Sequence, residues 1–246
     1  MAKLGIIPAR YASTRFPGKP LIDIAGKSMI QRVYEQACSS SSLDKVVIAT
    51  DDDRIIQEVK RFGGEYALTR ADHQSGTDRC AEVAMNFKGF DVIINIQGDE
   101  PYIDPVQIDL LASCFEDPQV KLATLVKKIN NTEELFNQNI PKVVLNADQE
   151  ALYFSRQTIP FLRNTDPKDW LSTFQYYKHI GIYGYTTETL LQITRLKPSA
   201  LELAESLEQL RWLENGYKIK TKVTDLETIA IDTPEDLEKI IRFKGD

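Results

Sequence analysis

Three cations fall within ten residues of one segment, "IIPARYASTRFPGKP": Arg10, Arg15 and Lys19, in a chain whose formal net charge is −6. A guanidinium can grip phosphate oxygens as a bidentate fork, and a lysine ammonium can follow a shifting charge. Ser13, Thr14 and the backbone N–H groups add neutral donors. A loop of this make-up could hold a polyphosphate. It lacks the glycines of the usual phosphate loops. Ser13 stands where a Walker pattern ending at Gly18–Lys19 needs its first glycine, Leu21 does the same for "AGKS", and no GxGxxG occurs. A solvated basic loop stiffened by Pro17 and Pro20 is the other reading of the same residues.

Candidate anion-handling and metal-binding groups recur at three more places. "INIQGDEP" puts Asp99 and Glu100 just past an apolar run, where carboxylates near a phosphate loop suit magnesium; Gly-Asp-Glu-Pro is also good turn chemistry. Asp232 precedes "TPEDLEKII", either as a ligand or as a negative charge favoured near a helix N-terminus. "LTRADHQSGTDR" gathers Arg70, His73, Ser75, Gly76 and Arg79, although Ser75–Gly76 before a helix could be only a cap and turn. With His73 and His179 the only histidines and no CxxC pair, a metal site must rest on carboxylates, which suits magnesium better than zinc.

The elements that must position these groups alternate through the first half. "KLGIIPA", "KVVIAT", "EYAL" and "DVIINI" read as buried strands. "SMIQRVYEQAC", "DDDRIIQEVKRFGG" and "GTDRCAEVAMNF" read as helices between them, and another helix follows Pro105. Ser28 with Gln31 forms a capping-box pattern. Such alternation implies a parallel sheet wrapped by helices, with ligands beyond the carboxyl ends of the strands. "KLATLVKKI", "KVVLNA", "ALYFS" and "KHIGIYGYT" follow as strands too closely spaced for long crossovers, so a mixed or antiparallel region is expected in the second half. "SALELAESLEQLRWLENG" reads as one helix with Leu203, Leu207, Leu210 and Leu213 on a face and a Ser199–Glu202 capping box; "IKTKVTD" is a strand; Thr233 N-caps a last helix. A single α/β domain over 1–246, with an embedded region at roughly 130–200, is expected.

The length of 246 residues allows a sizeable core, and 42% hydrophobic with 27% charged residues is ordinary for a globular protein. The acidic balance argues against a general nucleic-acid or membrane-surface binder. No run approaches the ~18 apolar residues of a membrane span, and "MAKLGIIPAR" lacks a signal-peptide layout. Cys38, Cys80 and Cys114 are odd in number and scattered, which suits reduced thiols in the cytoplasm.

Taken together the segments resemble the 3-deoxy-manno-octulosonate cytidylyltransferases, the CMP-Kdo synthetases. "IIPARYASTRFPGKPL", "TRADHQSGTDR", "QGDEP", "KVVLNA", "ALYFSR", "IPF", "HIGIYGY", "LEQLRWLE" and "DTPEDL" occur in the family's order from Ile6 to Leu237. The resemblance implies a Rossmann-like nucleotidyltransferase fold, usually as a homodimer, that converts CTP and Kdo to CMP-Kdo and pyrophosphate with Mg2+ for lipopolysaccharide synthesis. It implies that Arg10, Ser13 and Lys19 hold the CTP phosphates, that Arg70, Ser75, Gly76 and Gln97 lie beside the nucleotide, and that Asp99 and Asp232 ligate magnesium. It places Arg15, Gln97, Arg156, His179, Tyr183, Glu208 and Gln209 at the sugar acid. One departure is Ala230, where the family usually has glycine two residues before the aspartate. Another acidic sugar, sialic acid or 8-amino-Kdo, is the alternative acceptor. A non-catalytic nucleotide sensor and a dinucleotide oxidoreductase are readings from other classes. The missing GxGxxG counts against the oxidoreductase, and the retained cations and aspartates count against the sensor.

Overall fold

The structure, a computed structural model, describes residues 1–12, 16–227, 230, 231, 233 and 235–237. In chain order the elements begin with β1 (Lys3–Pro8), the short β2 (Asp23–Ile24) and β3 (Lys27–Ser28), α1 (Met29–Cys38), β4 (Lys45–Thr50) and α2 (Asp53–Arg61). They continue with β5 (Tyr66–Leu68), α3 (Gly76–Asn86), β6 (Val92–Asn95), α4 (Pro105–Ala112) and β7 (Leu122–Lys128). Then come α5 (Thr132–Phe136), β8 (Lys142–Leu145), β9 (Ala151–Ser155), α6 (Trp170–Thr173), β10 (Tyr177–Thr186) and α7 (Thr187–Ile193), and finally α8 (Ala200–Glu205), α9 (Gln209–Glu214) and β11 (Lys220–Val223).

One mixed sheet runs in the order β11-β7-β10-β6-β1-β4-β5, with β8 paired to β10 and β9 to β8. The pairs β6–β1, β1–β4, β4–β5 and β7–β11 are parallel. β10 lies antiparallel between β6 and β7, and the β8–β9 hairpin hangs from it antiparallel. The expected parallel first half and mixed second half are thus both present. β1 and β4 are nearly continuous apolar runs because helices cover both faces. Leu4, Ile6 and Val47 meet Val83, Leu190 and Ile193 on one side. Ile7 and Ile48 join Val33, Val59 and Ile108 on the other.

Local chemistry sets the helix starts. Ser28 Oγ accepts from Gln31 N at 3.3 Å, but Gln31 turns its amide to Glu35 at 2.9 Å, so only half of the expected capping box forms. At α3 the box is complete, Ser75 with Asp78 in both directions. Thr233 and Asp236 bond reciprocally at the start of the last helix. The expected single helix over 199–216 is corrected to two short ones. Ser206 takes the left-handed conformation (φ 52°) and ends α8, leaving Leu203 exposed while Leu207 and Leu210 are buried. The cause lies outside the segment. Glu205 is drawn away to accept from Ser155 Oγ and Arg156 N, and the Arg156 guanidinium takes the carbonyls of Glu205 and Ser206.

Candidate active site

The carboxyl ends of β1 and β6 are adjacent, and the loops leaving them enclose a cleft of about 410 Å³ lined by Arg10, Lys19, Gly76, Gln97 and Asp99 among others. Two glycines let these backbones approach. A Cβ on Gly98 would lie 2.8 Å from the Pro8 carbonyl oxygen, and one on Gly76 3.3 Å from Pro8 Cγ. The first loop is braced from within. Gly18, at φ +74°, donates its N–H to the Tyr11 carbonyl at 2.9 Å, and the Arg54 guanidinium stacks 3.2 Å from the Tyr11 ring centroid.

Lys19 Nζ pairs with Asp99 Oδ2 at 2.8 Å, so the cation assigned to phosphate and the carboxylate assigned to metal neutralise each other. Arg10 Nη2 donates to the carbonyl oxygens of His73 and Ser75, tying the first loop to the approach of α3. His73 in turn meets Glu82 through Nε2. Beneath them Arg79 is fully buried, 2.8 Å from Asp51 and bonded to Thr69, pinning the ends of β4 and β5 to α3. Burial lowers its pKa, opposed by the charge of Asp51.

Ser13, Arg15 and Asp232 lie outside the described residues. Ile231, which is described, donates its N–H to the Asp99 carbonyl at 2.9 Å. No group of three or more candidate metal ligands occurs among the described residues. Magnesium needs only one or two carboxylates when substrate phosphates complete its shell, and a cation already sits on Asp99, so the donor set fits. Arg70 is not brought to the cleft. It stays exposed in a bidentate pair with Asp72.

Of the residues assigned to a sugar acid, Gln97 follows β6, Arg156 follows β9, His179 and Tyr183 lie on β10, and Glu208 and Gln209 open α9. The register of β10 against β7 slips between Ile180 and Tyr183. The carbonyls freed there are taken by Thr124, whose hydroxyl lies 2.7 Å from Ile182 O and 3.2 Å from Ile180 O. Such a bulge re-aims side chains. His179 Nε2 lies 3.0 Å from the same Thr124 hydroxyl. That hydroxyl has one proton and gives it to a carbonyl, so His179 donates from Nε2 and keeps an acceptor lone pair on Nδ1. The ring sits edge-on to Phe154 and against Tyr183, and burial pushes its pKa down to about 3. Gly181 meets Gln97 at the edge of the first cleft, its Cβ position 3.9 Å from Gln97 Cγ.

Tyr183 and Tyr185 hold their hydroxyls buried, that of Tyr185 beside Thr77 and Asn95, and meet Trp212 of α9 edge-on at 5.0 and 5.8 Å. Docking through Trp212 brings Glu208, at the start of α9, onto α3, where Thr77 Oγ1 donates to its Oε2 at 2.7 Å. Burial raises the Glu208 pKa, opposed by the hydroxyls of Thr77 and Ser75. Gln209 is buried beside it. In this structure Arg156 spends its guanidinium on the carbonyls of Glu205, Ser206 and Gln138. Thr77 and Thr124 support these residues without having been singled out from sequence, whereas Arg79 stands among the candidates of "LTRADHQSGTDR". Only Arg79 and Thr77 carry a local signal, as polar residues on the first turn of a helix at a strand end.

The Cytidylyltransferase family matches residues 4–229. The chain is similar to a "3-deoxy-manno-octulosonate cytidylyltransferase" of Cytophaga hutchinsonii, 62% identical over 239 residues, which span 96% of this chain and 95% of that protein. It is 59% identical over 247 residues to a protein of the same name from Bacteroides thetaiotaomicron, covering 99% of this chain and 98% of the other. Among solved structures, CMP:2-keto-3-deoxy-manno-octonic acid synthetase complexed with CTP superposes with a TM-score of 0.92 at 43% identity, covering 100% of this chain and 99% of that one.

Proposed function

The chain belongs to the 3-deoxy-manno-octulosonate cytidylyltransferases, and from that premise we propose that it makes CMP-Kdo and pyrophosphate from CTP and Kdo. The observation that carries this reading is the meeting of Arg10, Lys19 and Asp99 in one cleft at the ends of β1 and β6. The anomeric hydroxyl oxygen of Kdo bonds to the α-phosphorus, the bond from that phosphorus to the bridging oxygen breaks, and the hydroxyl proton is lost to solvent. Arg10 and Lys19 offset the charge gathering on the leaving pyrophosphate, and close backbone packing at Gly98 and Gly76 keeps their loops in place. Asp99 and Asp232 would hold a magnesium ion, which when bound screens the triphosphate and lowers the pKa of the attacking hydroxyl. His179 offers a neutral imidazole acceptor to a sugar hydroxyl, and Glu208 offers carboxylate oxygens to another.

A homodimer fits the exposed apolar side chains Phe136, Leu152, Phe161 and Phe174, which fall in the embedded 130–200 region. A reducing, cytoplasmic setting fits the free thiols of Cys38, Cys80 and Cys114. Pyrophosphate release from CTP with Kdo, sialic acid and 8-amino-Kdo tests the acceptor, and sedimentation of the same preparation tests the dimer. Strong release with Kdo alone is the expected result. Asp99→Asn should abolish most magnesium-dependent release; retention of turnover would refute the metal assignment.

A further inference from the structure

The nucleotide-side and sugar-side residues meet at one hydrogen bond. α3 begins at Gly76, which lines the cleft holding Arg10, Lys19 and Asp99. The next residue, Thr77, is 3% exposed and sends its hydroxyl across to Glu208 Oε2, 131 residues away in the chain. Arg10 is bonded to the carbonyls of His73 and Ser75 immediately before this turn. Glu208 has no rigid element of its own on its N-terminal side, because α8 ends at Ser206 and α9 starts at Gln209. Trp212 docks α9 on Tyr183 and Tyr185, but Glu208 stands at the helix start, one turn from that anchor. The direction of its carboxylate is therefore set from α3.

We propose that Thr77 is a positioning residue for the sugar acid: it commits one oxygen of Glu208 to the protein and orients the carboxylate toward the acceptor sugar. The proposal rests on the cytidylyltransferase reading and on Glu208 facing the sugar. The groups surrounding Glu208 favour the neutral acid unless donors oppose them. Asp78 of α3 is a like charge, and the buried Tyr183 and Tyr185 of β10 and Cys80 of α3 supply none that offsets it. Arg211 of α9 is the nearby cation, and it is engaged by Glu202. The hydroxyls of Thr77 and Ser75 favour the carboxylate more than the charge of Arg211 does, and Ser75 also caps α3. Loss of the Thr77 hydroxyl removes the donor while leaving the side-chain volume almost unchanged in Thr77→Val.

The test is steady-state kinetics of the full-length enzyme with CTP and Kdo. Thr77→Val should raise the KM for Kdo roughly tenfold or more, the loss expected for a hydrogen bond to a charged group, and leave the KM for CTP within about twofold. The acid limb of kcat/KM for Kdo should move to higher pH, because the carboxylate now protonates more readily. Thr77→Ser, which restores the hydroxyl, should return both quantities toward wild type. Equal rises in the two KM values, an unmoved acid limb, or failure of serine to rescue would overturn the proposal. If Thr77→Val does not fold, Thr77→Ala with thermal unfolding and direct Kdo binding decides it: unchanged Kdo affinity in a folded variant refutes the role. Absence of turnover in the wild-type enzyme would instead refute the cytidylyltransferase reading, so the two failures are distinguishable.

Discussion

Acidification from pH 7 to pH 5 will cost the protein about 2 kcal/mol through His179 alone. The ring is enclosed by Phe154 and Tyr183, and burial holds its folded pKa at about 3. An unfolded histidine titrates near ~6.5. The folded value is depressed, so the unfolded chain takes up a proton first as pH falls. Stability drops from about pH 6.5 downward, by up to ~1.4 kcal/mol per pH unit, until the folded form also protonates near pH 3. Over pH 7 to 5 the unfolded state is stabilised by the binding of most of one proton, which gives the ~2 kcal/mol. His179→Gln removes this contribution. The difference between wild type and variant in urea-derived stability should therefore shrink by that amount between the two pH values. The chain has only two histidines, so imidazole NMR reads the same quantity directly. His179 should show one neutral tautomer, protonated at Nε2 by virtue of its bond to Thr124, throughout pH 5–8. A resonance that titrates with a midpoint near 6.5 would refute both the enclosure argument and the tautomer.

Two further outcomes follow from a buried lysine of β8 and a glycine of the cleft. Lys142 is fully buried and its ammonium donates to the carbonyls of Asn137, Ile140 and Arg156 at 2.7–2.8 Å; Lys142→Met should destabilise the fold by about 3–5 kcal/mol, read from chemical denaturation, because three carbonyls lose a charged donor. A stability loss under about 1 kcal/mol would show that water replaces the ammonium. Gly98→Ala should lower kcat by about 100-fold and lower the unfolding temperature as well, since the new Cβ meets the Pro8 backbone oxygen and displaces Asp99 relative to Lys19. Unchanged kcat would mean that the loop shifts without moving the carboxylate.

The sheet was legible in the sequence because burial on both faces makes strands such as Lys45–Thr50 unbroken apolar runs, and a parallel sheet points its loops to one edge. That edge is where Arg10, Lys19 and Asp99 meet, so charge and position together identified the cleft. What stayed hidden depends on partners far along the chain. The segment 199–216 has a helical pattern throughout, yet Arg156 and Ser155 from β9 and its following turn pull Glu205 and Ser206 out of it. Tertiary bonding overrode local propensity there. The bulge in β10 depends on the Thr124 hydroxyl of β7, and no pattern within "KHIGIYGYT" records it. The position of Arg70 was hidden for the opposite reason: a good local partner, Asp72, pairs with it at the surface.

The opening loop illustrates how charge can replace glycine. Loops of the Walker kind line phosphates with backbone N–H groups, which needs glycines for close approach. Here the glycines serve elsewhere. Gly18 turns the loop under Tyr11, while Gly76 and Gly98 let neighbouring segments approach the end of β1. The phosphate-directed groups are side chains, and in the free protein each has an internal stand-in: carbonyls of His73 and Ser75 for Arg10, and Asp99 for Lys19. A triphosphate that arrived alone would have to take Lys19 and leave the Asp99 carboxylate without its cation. With the divalent cation proposed above, the one pair would be exchanged for two, Lys19 turning to phosphate and Asp99 holding the metal.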